Sequence, residues 1–314
     1  MPTLNQLKSE LEQSELFKDI ADVLAAQSSM AFKDISDNYI DNLEFVKKQL
    51  DKLPVFLKPS VITDFKITDI SQNSLVIVIG SNAGFCGKFN KEITSVYNSL
   101  RIEHNNVITI GKQIKKLNPR GTYFDFPELL KAKKDGTNTV GKDPKVFQKV
   151  NFINKNLKDL RKPDSSHYAQ IILVFTDAIK KDESKKVYES KASTLIFVNN
   201  IKEKAEKYEF SKEDDIIIEP NIKGHENSPT EVASTLYRIW YRVIKSYIYY
   251  ALFVSEMQEN DARMKAMTQA GDNIKENITL LKRQIQKKRQ ERITKELIEI
   301  ISGAEALKRA KANR

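Results

Sequence analysis

Cysteine is nearly missing from this chain: Cys86 stands alone among 314 residues. An intramolecular disulfide is excluded, and the usage fits a reducing compartment. Only three histidines occur, and they are scattered, so a structural zinc site has no ligand set. Nothing suggests another metal or a cofactor. No apolar run reaches about 18 residues, so direct membrane insertion is not expected. The opening Met1-Pro2-Thr3, soon acidic, resembles neither a secretory signal nor a basic presequence. No Ser/His/Asp arrangement or carboxylate pair stands out, and no catalytic residue is expected. Proline is missing after Pro229, and glycine there is confined to Gly271 and Gly303.

That last absence is informative. From Thr230 to Arg314 apolar residues recur at steps of three and four, among them Val232, Leu236, Ile239, Val243, Tyr247, Ile274, Ile278, Leu281 and Ile285. Ile293, Leu297, Ile300, Ala304 and Leu307 continue the stripe. The spacing keeps one face of an α-helix apolar. At about 1.5 Å per residue such a helix is roughly 125 Å long, more than a compact domain covers, and its stripe calls for a partner. Leu4 to Leu53 reads as a second long helix, free of Gly and Pro and ended by Pro54 and Pro59. Its apolar positions include Leu4, Leu7, Leu11, Leu16, Ile20, Val23 and Met30, then Tyr39, Leu43, Val46, Leu50 and Leu53. Residues 1–50 carry five Lys and nine acids, whereas residues 255–314 carry fourteen Lys or Arg and nine acids. Opposite net charge and matching stripes predict that the two helices pair, antiparallel because both adjoin the same middle region.

The middle, about 60–222, has short β-branched runs at 75–79, 107–110, 171–175, 194–198 and 216–218. Such runs suit strands buried on both faces. Helical stretches are expected near 88–103 and 143–160, giving a Rossmann-like α/β domain with a largely parallel sheet. The Lys-rich stretches 131–143 and 180–192 read as solvated surface insertions. The expected organisation is therefore 1–55 as the N-terminal helix of a coiled coil, 60–222 as the α/β domain and 229–314 as the C-terminal helix.

Two stretches invite a functional reading. Gly80-Ser81-Asn82-Ala83-Gly84-Phe85-Cys86-Gly87-Lys88 sits between a strand and a helix. A P-loop would need a glycine where Phe85 stands, and a dinucleotide fingerprint one at Asn82, so the stretch reads as a tight turn built on Gly80, Gly84 and Gly87. Cys86 reads as a buried small hydrophobe. Lys282 to Arg292 holds Lys282, Arg283, Lys287, Lys288, Arg289 and Arg292 against one acid and one apolar residue. It is either a solvated face or a basic collar meeting an acidic partner surface, with nucleic acid as a third option. The Tyr-rich run Trp240, Tyr241, Tyr247, Tyr249, Tyr250 reads as packing against the sheet.

Three segments carry a resemblance. Ser255-Glu256-Met257 through Ala262-Arg263-Met264-Lys265-Ala266-Met267, with Asp272-Asn273, is similar to the "SE…ARM.AM..A..NA" signature of the γ subunit of F-type ATP synthases. Arg289-Gln290-Glu291-Arg292-Ile293-Thr294-Lys295-Glu296-Leu297 through Leu307 resembles the same family's "RQA.IT.EL.EI..GA.AL" ending, and Gly84-Phe85-Cys86-Gly87-Lys88-Phe89-Asn90 resembles "GLCGGLN". The resemblance implies a non-catalytic central shaft, an antiparallel coiled coil inside a hexamer of α- and β-type nucleotide-binding subunits. It implies room for an ε-like subunit and a membrane rotor ring, and a cytoplasmic place, peripheral on the inner face of the cell membrane. It also implies that Arg289, Gln290, Thr294 and Glu296 contact the catalytic subunits; the basic collar, read from its charge, adds Lys282, Arg283, Lys287, Lys288 and Arg292 as expected partner contacts. The N-terminal helix departs from the family's basic pattern at Asp19 and Asp22. A rotor in a specialised F1-like ATPase, driving a process other than ATP synthesis, stays open, as does a basic coiled-coil protein that binds nucleic acid.

Overall fold

The computed structural model describes residues 2–38, 45, 48, 51–52, 58–61, 74–100, 107–117, 122–124, 170–182, 187–198 and 229–312. The expected helix at 143–160, strand at 216–218 and insertion at 131–143 lie outside these residues. So does most of 39–57. The elements are α1 (Leu4–Asn38), β1 (Ser60–Val61), β2 (Ser74–Ile79), α2 (Phe89–Ser99), β3 (Val107–Ile110) and a 3-10 helix (Lys112–Leu117). They continue with β4 (Thr122–Phe124), β5 (Gln170–Asp182), β6 (Val187–Val198) and α3 (Pro229–Ala312). The chain forms two units. One holds Met1–Ser28 with Arg263–Arg314, the other Ser29–Ala262.

The second unit is built on a six-stranded sheet in the order β1-β6-β5-β2-β3-β4. β2 pairs parallel with β3 and β5, and β3 with β4. β5 pairs antiparallel with β6, and β6 with β1. The sheet is thus mixed rather than largely parallel. The reading of 180–192 as a solvated insertion is corrected as well, because β5 and β6 run through it as one long hairpin, with Thr176 opposite Ala192 and Lys180 opposite Tyr188. A count of lysines does not separate a loop from an extended ribbon, whose ladder is made by backbone groups whatever the side chains.

Both faces of the sheet are covered, which explains the unbroken apolar run of β2. Leu75, Ile77 and Ile79, with Ile171, Leu173, Phe175 and Phe197, pack against the α3 residues Trp240 to Val254. Val76 and Val78, with Ile172, Val174 and Ile196, pack against Phe89, Ile93 and Tyr97 of α2. Period-two alternation deals successive residues to opposite layers. In this stretch α3 is apolar nearly all round, the mark of a buried helix. Its tyrosines are packing groups. Tyr250 meets Phe175 edge-on at 6.3 Å between centroids and Tyr247 meets Phe197 at 5.4 Å. The Tyr250 hydroxyl donates to Asp177 Oδ1 at 2.7 Å, so its polar tip is satisfied.

Tyr247 yields a pH prediction. Burial, helped by the Asp51 carboxylate, pushes its phenol up to about 12 from 10. The folded pKa exceeds the unfolded one, so this contribution is fully present below pH 10 and is lost as pH rises towards 12. Two pH units correspond to about 2–3 kcal/mol. Tyr247→Phe should therefore flatten the alkaline loss of stability between pH 10 and 12 in urea titrations. Identical alkaline slopes in both proteins would contradict this.

The first unit is a two-helix seam. On α1 the inward positions are Leu7, Leu11, Ser14, Lys18, Ala21, Ala25 and Ser28, at alternating steps of four and three. On α3 they are Met267, Gly271, Ile274, Ile278, Leu281 and Ile285, with the same steps. This is a heptad seam. Leu7 packs with Leu281 and Ile285, Lys282 Nζ lies 3.0 Å from Glu15 Oε1, and Gly271 comes up to Asp22. Numbers rise on one helix as they fall on the other, so the pairing is antiparallel, as the sequence implies.

The seam corrects one detail. Leu16, Ile20, Val23 and Met30 belong to the apolar pattern of the sequence, yet they are exposed. Small and amphipathic residues take the inward places instead. The Lys18 ammonium is held by Asp22, which raises its pKa through a hydrogen bond and charge. Its stem can line the seam while the charge stays in water.

Candidate functional site

The turn after β2 is tied together by its own backbone. Gly80 N donates to Ile110 O at 2.8 Å, and Gln113 N to Ser81 O at 3.0 Å. Ser81 N donates to Asn90 Oδ1 at 3.1 Å, and Asn90 Nδ2 donates to Ser81 Oγ at 2.7 Å. Phe89 N donates to Cys86 O. The amides of Gly80, Ser81 and Phe89, which a phosphate cradle would use, are thus spent within the fold. Phe85 and Gly87 have φ of 64° and 54°. A side chain on Gly80 would meet Ile114, whereas Gly84 faces open space. Cys86 is buried and its thiol points to the carbonyls of Ala83 and Gly84.

Gly111, which the sequence reading passed over, is the keystone of this junction. It has φ +114°, and a Cβ there would lie 2.4 Å from Gly80 O. A lone glycine after a β-branched run was the available signal, since such a glycine often marks close backbone approach.

The far end of α3 has another character. Ile285 is the last buried residue of the seam, and from Glu291 through Ala306 every residue is exposed. Ile293, Leu297, Ile298, Ile300 and Ile301 all exceed 50% exposure. The basic collar is divided in its partners. Lys282 reaches across to Glu15, Lys288 pairs with Glu291 at 2.9 Å, and Arg292 Nε bonds Glu296 Oε1 at 2.8 Å. The Lys288 ammonium, by hydrogen bond and then by charge, holds the Glu291 carboxyl below its usual value. Among the described residues Arg283, Lys287 and Arg289 form no ion pair within the chain. Gln290 and Thr294 are likewise exposed. At 100° per residue Arg289 and Glu296 share a face, and Gln290 and Thr294 share the next. The arrangement offers hydrogen-bond donors, a forked cation and apolar side chains around an unpaired helix end. Among the described residues no group of three or more His, Cys, Asp and Glu could hold a metal, and no helix is long and apolar enough to cross a membrane.

Comparison with known proteins agrees with this architecture. The family model described as ATP synthase matches residues 8–307. The ATP synthase gamma chain of Clostridium botulinum (strain Hall) is 28% identical over 280 residues, covering 84% of this chain and 86% of the relative. That of Chlorobium phaeobacteroides (strain BS1) is 24% identical over 315 residues, covering 98% and 99%. Among solved structures, a chain of the Euglena gracilis mitochondrial ATP synthase OSCP/F1/c-ring assembly superposes with a TM-score of 0.71 at 15% identity. It covers 98% of this chain and 95% of that one, a likeness of fold. With a family match over nearly its whole length and gamma-chain relatives aligned almost end to end, the chain belongs to the ATP synthase family, as a γ chain.

Proposed function

We propose that this γ chain is the non-catalytic central shaft of an F1-type rotary ATPase, coupling rotation to nucleotide turnover in the subunits around it. The observation that carries the reading is the heptad seam between α1 and α3, followed by an α3 end exposed on all sides. A rod of this kind is asymmetric. Inside a pseudo-threefold ring of α- and β-type subunits it cannot touch three catalytic sites alike. Each angular position then favours a different open or closed state at each site, and by linkage nucleotide occupancy biases the angle of the rod. Arg289, Gln290, Thr294 and Glu296 are the groups proposed to meet the catalytic subunits, with the neighbouring cations beside them. An ε-like subunit and a membrane rotor ring are further proposed partners, which would place the chain peripherally on the inner face of the membrane. The nucleic-acid alternative is not favoured, since the chain is a γ chain and several collar cations are engaged within it.

The test is to purify the tagged chain from its native cell. Two co-purifying subunits with Walker motifs, and ATPase activity that follows the complex, are expected. Recovery of the chain without them would sink the proposal.

A further inference from the structure

The two-helix unit carries two bare apolar surfaces. One is the outer side of α1, where Leu16, Ile20 and Val23 are 59%, 46% and 65% exposed. At 100° per residue they lie within an arc of about 60°, opposite Leu7, Ala21 and Ala25, and Glu12 and Asp19 run along one edge. The other is the end of α3 beyond Ile285, where Ile293, Leu297 and Ile300 are exposed at steps of four and three. The two surfaces are opposite in charge. Met1–Ser28 carries two Lys and five acids, whereas residues 286–312 carry eight Lys or Arg and four acids. Part of that charge is free for an outside partner. Among the described residues Glu12, Asp19, Lys308 and Arg309 form no ion pair, while Glu15 and Asp22 are spent on Lys282 and Lys18. The lengths also match, since residues 4–28 span roughly 37 Å and residues 286–312 roughly 40 Å.

We infer that the free chain docks on a second copy of itself, with the end of α3 of one copy lying along the outer face of α1 of the other. Charge selects this crossed pairing. Two α3 ends laid together bring cation to cation, and two outer α1 faces bring acid to acid. Only the crossed arrangement gives each stripe both an apolar cover and a countercharge. An anionic lipid surface suits the α3 end but repels the α1 face. The contact turns the two-helix seam into a three-helix layer, with α1 between its own α3 and that of the other copy. A strip of about 37 Å by about 10 Å on each helix buries on the order of 700–800 Å² in total, below the ~1,200 Å² of a standard interface. The association is therefore weak and set by concentration rather than permanent. Resting on the function proposed above, it has a consequence for assembly. The same α3 end is assigned there to the catalytic subunits, so a chain held by its own kind stands outside the ring, and the ring subunits displace the copy as they close.

Sedimentation of the isolated full-length chain tests this, with helicity by circular dichroism as the folding control. Two variants are compared with the wild type: Leu297→Gln with Ile300→Gln at the α3 end, and Leu16→Gln with Ile20→Gln on α1. The wild-type mass is expected to rise above that of the monomer with concentration, and to rise less at about 0.5 M salt, where surface charges are screened. Each variant alone should need at least about tenfold more protein to associate. Mixed one to one, the two should regain a dimer, because one keeps the α1 face and the other keeps the α3 end. Glu12→Lys with Asp19→Lys, which leaves both stripes intact, should also weaken association about tenfold at low salt. A wild type that stays monomeric up to about 1 mM overturns the inference. So does a folded variant that associates as the wild type does, which marks a contact between like surfaces, and so does a mixture that stays monomeric. None of these outcomes touches the shaft reading, which stands or falls on the co-purifying subunits.

Discussion

Complexes carrying Arg289→Ala together with Thr294→Ala should hydrolyse ATP at least about tenfold more slowly than wild type, with the γ chain still folded. Both residues are exposed on an unpaired stretch of α3, and Arg289 forms no ion pair among the described residues. Removing them therefore breaks no seam contact. Inside a ring the forked guanidinium can bond a carboxylate with charge assistance. If that bond is desolvated, truncation costs on the order of 2–5 kcal/mol at the contact. If it stays wet, the cost is below about 1 kcal/mol. The larger value is expected because the residues flank an exposed apolar stretch, Ile293 to Ile301, that would exclude water when covered. ATPase rates of assembled complexes, with circular dichroism of the isolated chain as control, decide between the two. Equal rates would show that the patch is a solvated surface.

Gly111→Ala should destabilise the second unit by about 3–5 kcal/mol. Two causes add. The backbone sits at φ +114°, where an L side chain is strained, and the new Cβ would lie 2.4 Å from Gly80 O and 2.6 Å from Gly80 C. The obstacle is backbone, held by the bond from Gly80 N to Ile110 O, so no rotamer change relieves it. Gly84→Ala is the built-in control. Nothing lies within 4 Å of its Cβ position, and a change within about 1 kcal/mol of wild type is expected. The single tryptophan, Trp240, is buried in the core of this unit and reports its unfolding by fluorescence. A midpoint for Gly111→Ala no lower than that of Gly84→Ala would refute the steric argument.

Much of this architecture could be read from residue spacing. The long C-terminal helix declared itself by lacking Pro and nearly lacking Gly, and its span, Pro229–Ala312, lies within two residues of the expected one. The strand core at 75–79 was legible because residues buried on both faces leave an uninterrupted apolar run, and that at 107–110 because Val107-Ile108-Thr109-Ile110 is β-branched throughout. The β5–β6 hairpin was not, because lysines on a two-sided ribbon look like a solvated loop when only composition is weighed. The choice of face on α1 was also hidden. Hydrophobicity favoured Leu16, Ile20 and Val23, but a close helix pair takes Ser14, Ala21 and Ser28 inward, since small residues let backbones approach. Of the candidate site, the collar was visible as a charge run. Which of its cations are spent within the chain depends on neighbours such as Glu15, far away in sequence.

The seam also sets a timetable for synthesis. Leu7 leaves the ribosome well ahead of its partners Leu281 and Ile285. At about 5–20 residues per second, α1 waits roughly 15–60 s before α3 can reach it. During that interval the seam face of α1 lies bare, while the sheet hairpin β5–β6 has already emerged and can close locally. The sheet's hairpin is thus a local, early closure, and the seam a late, long-range one.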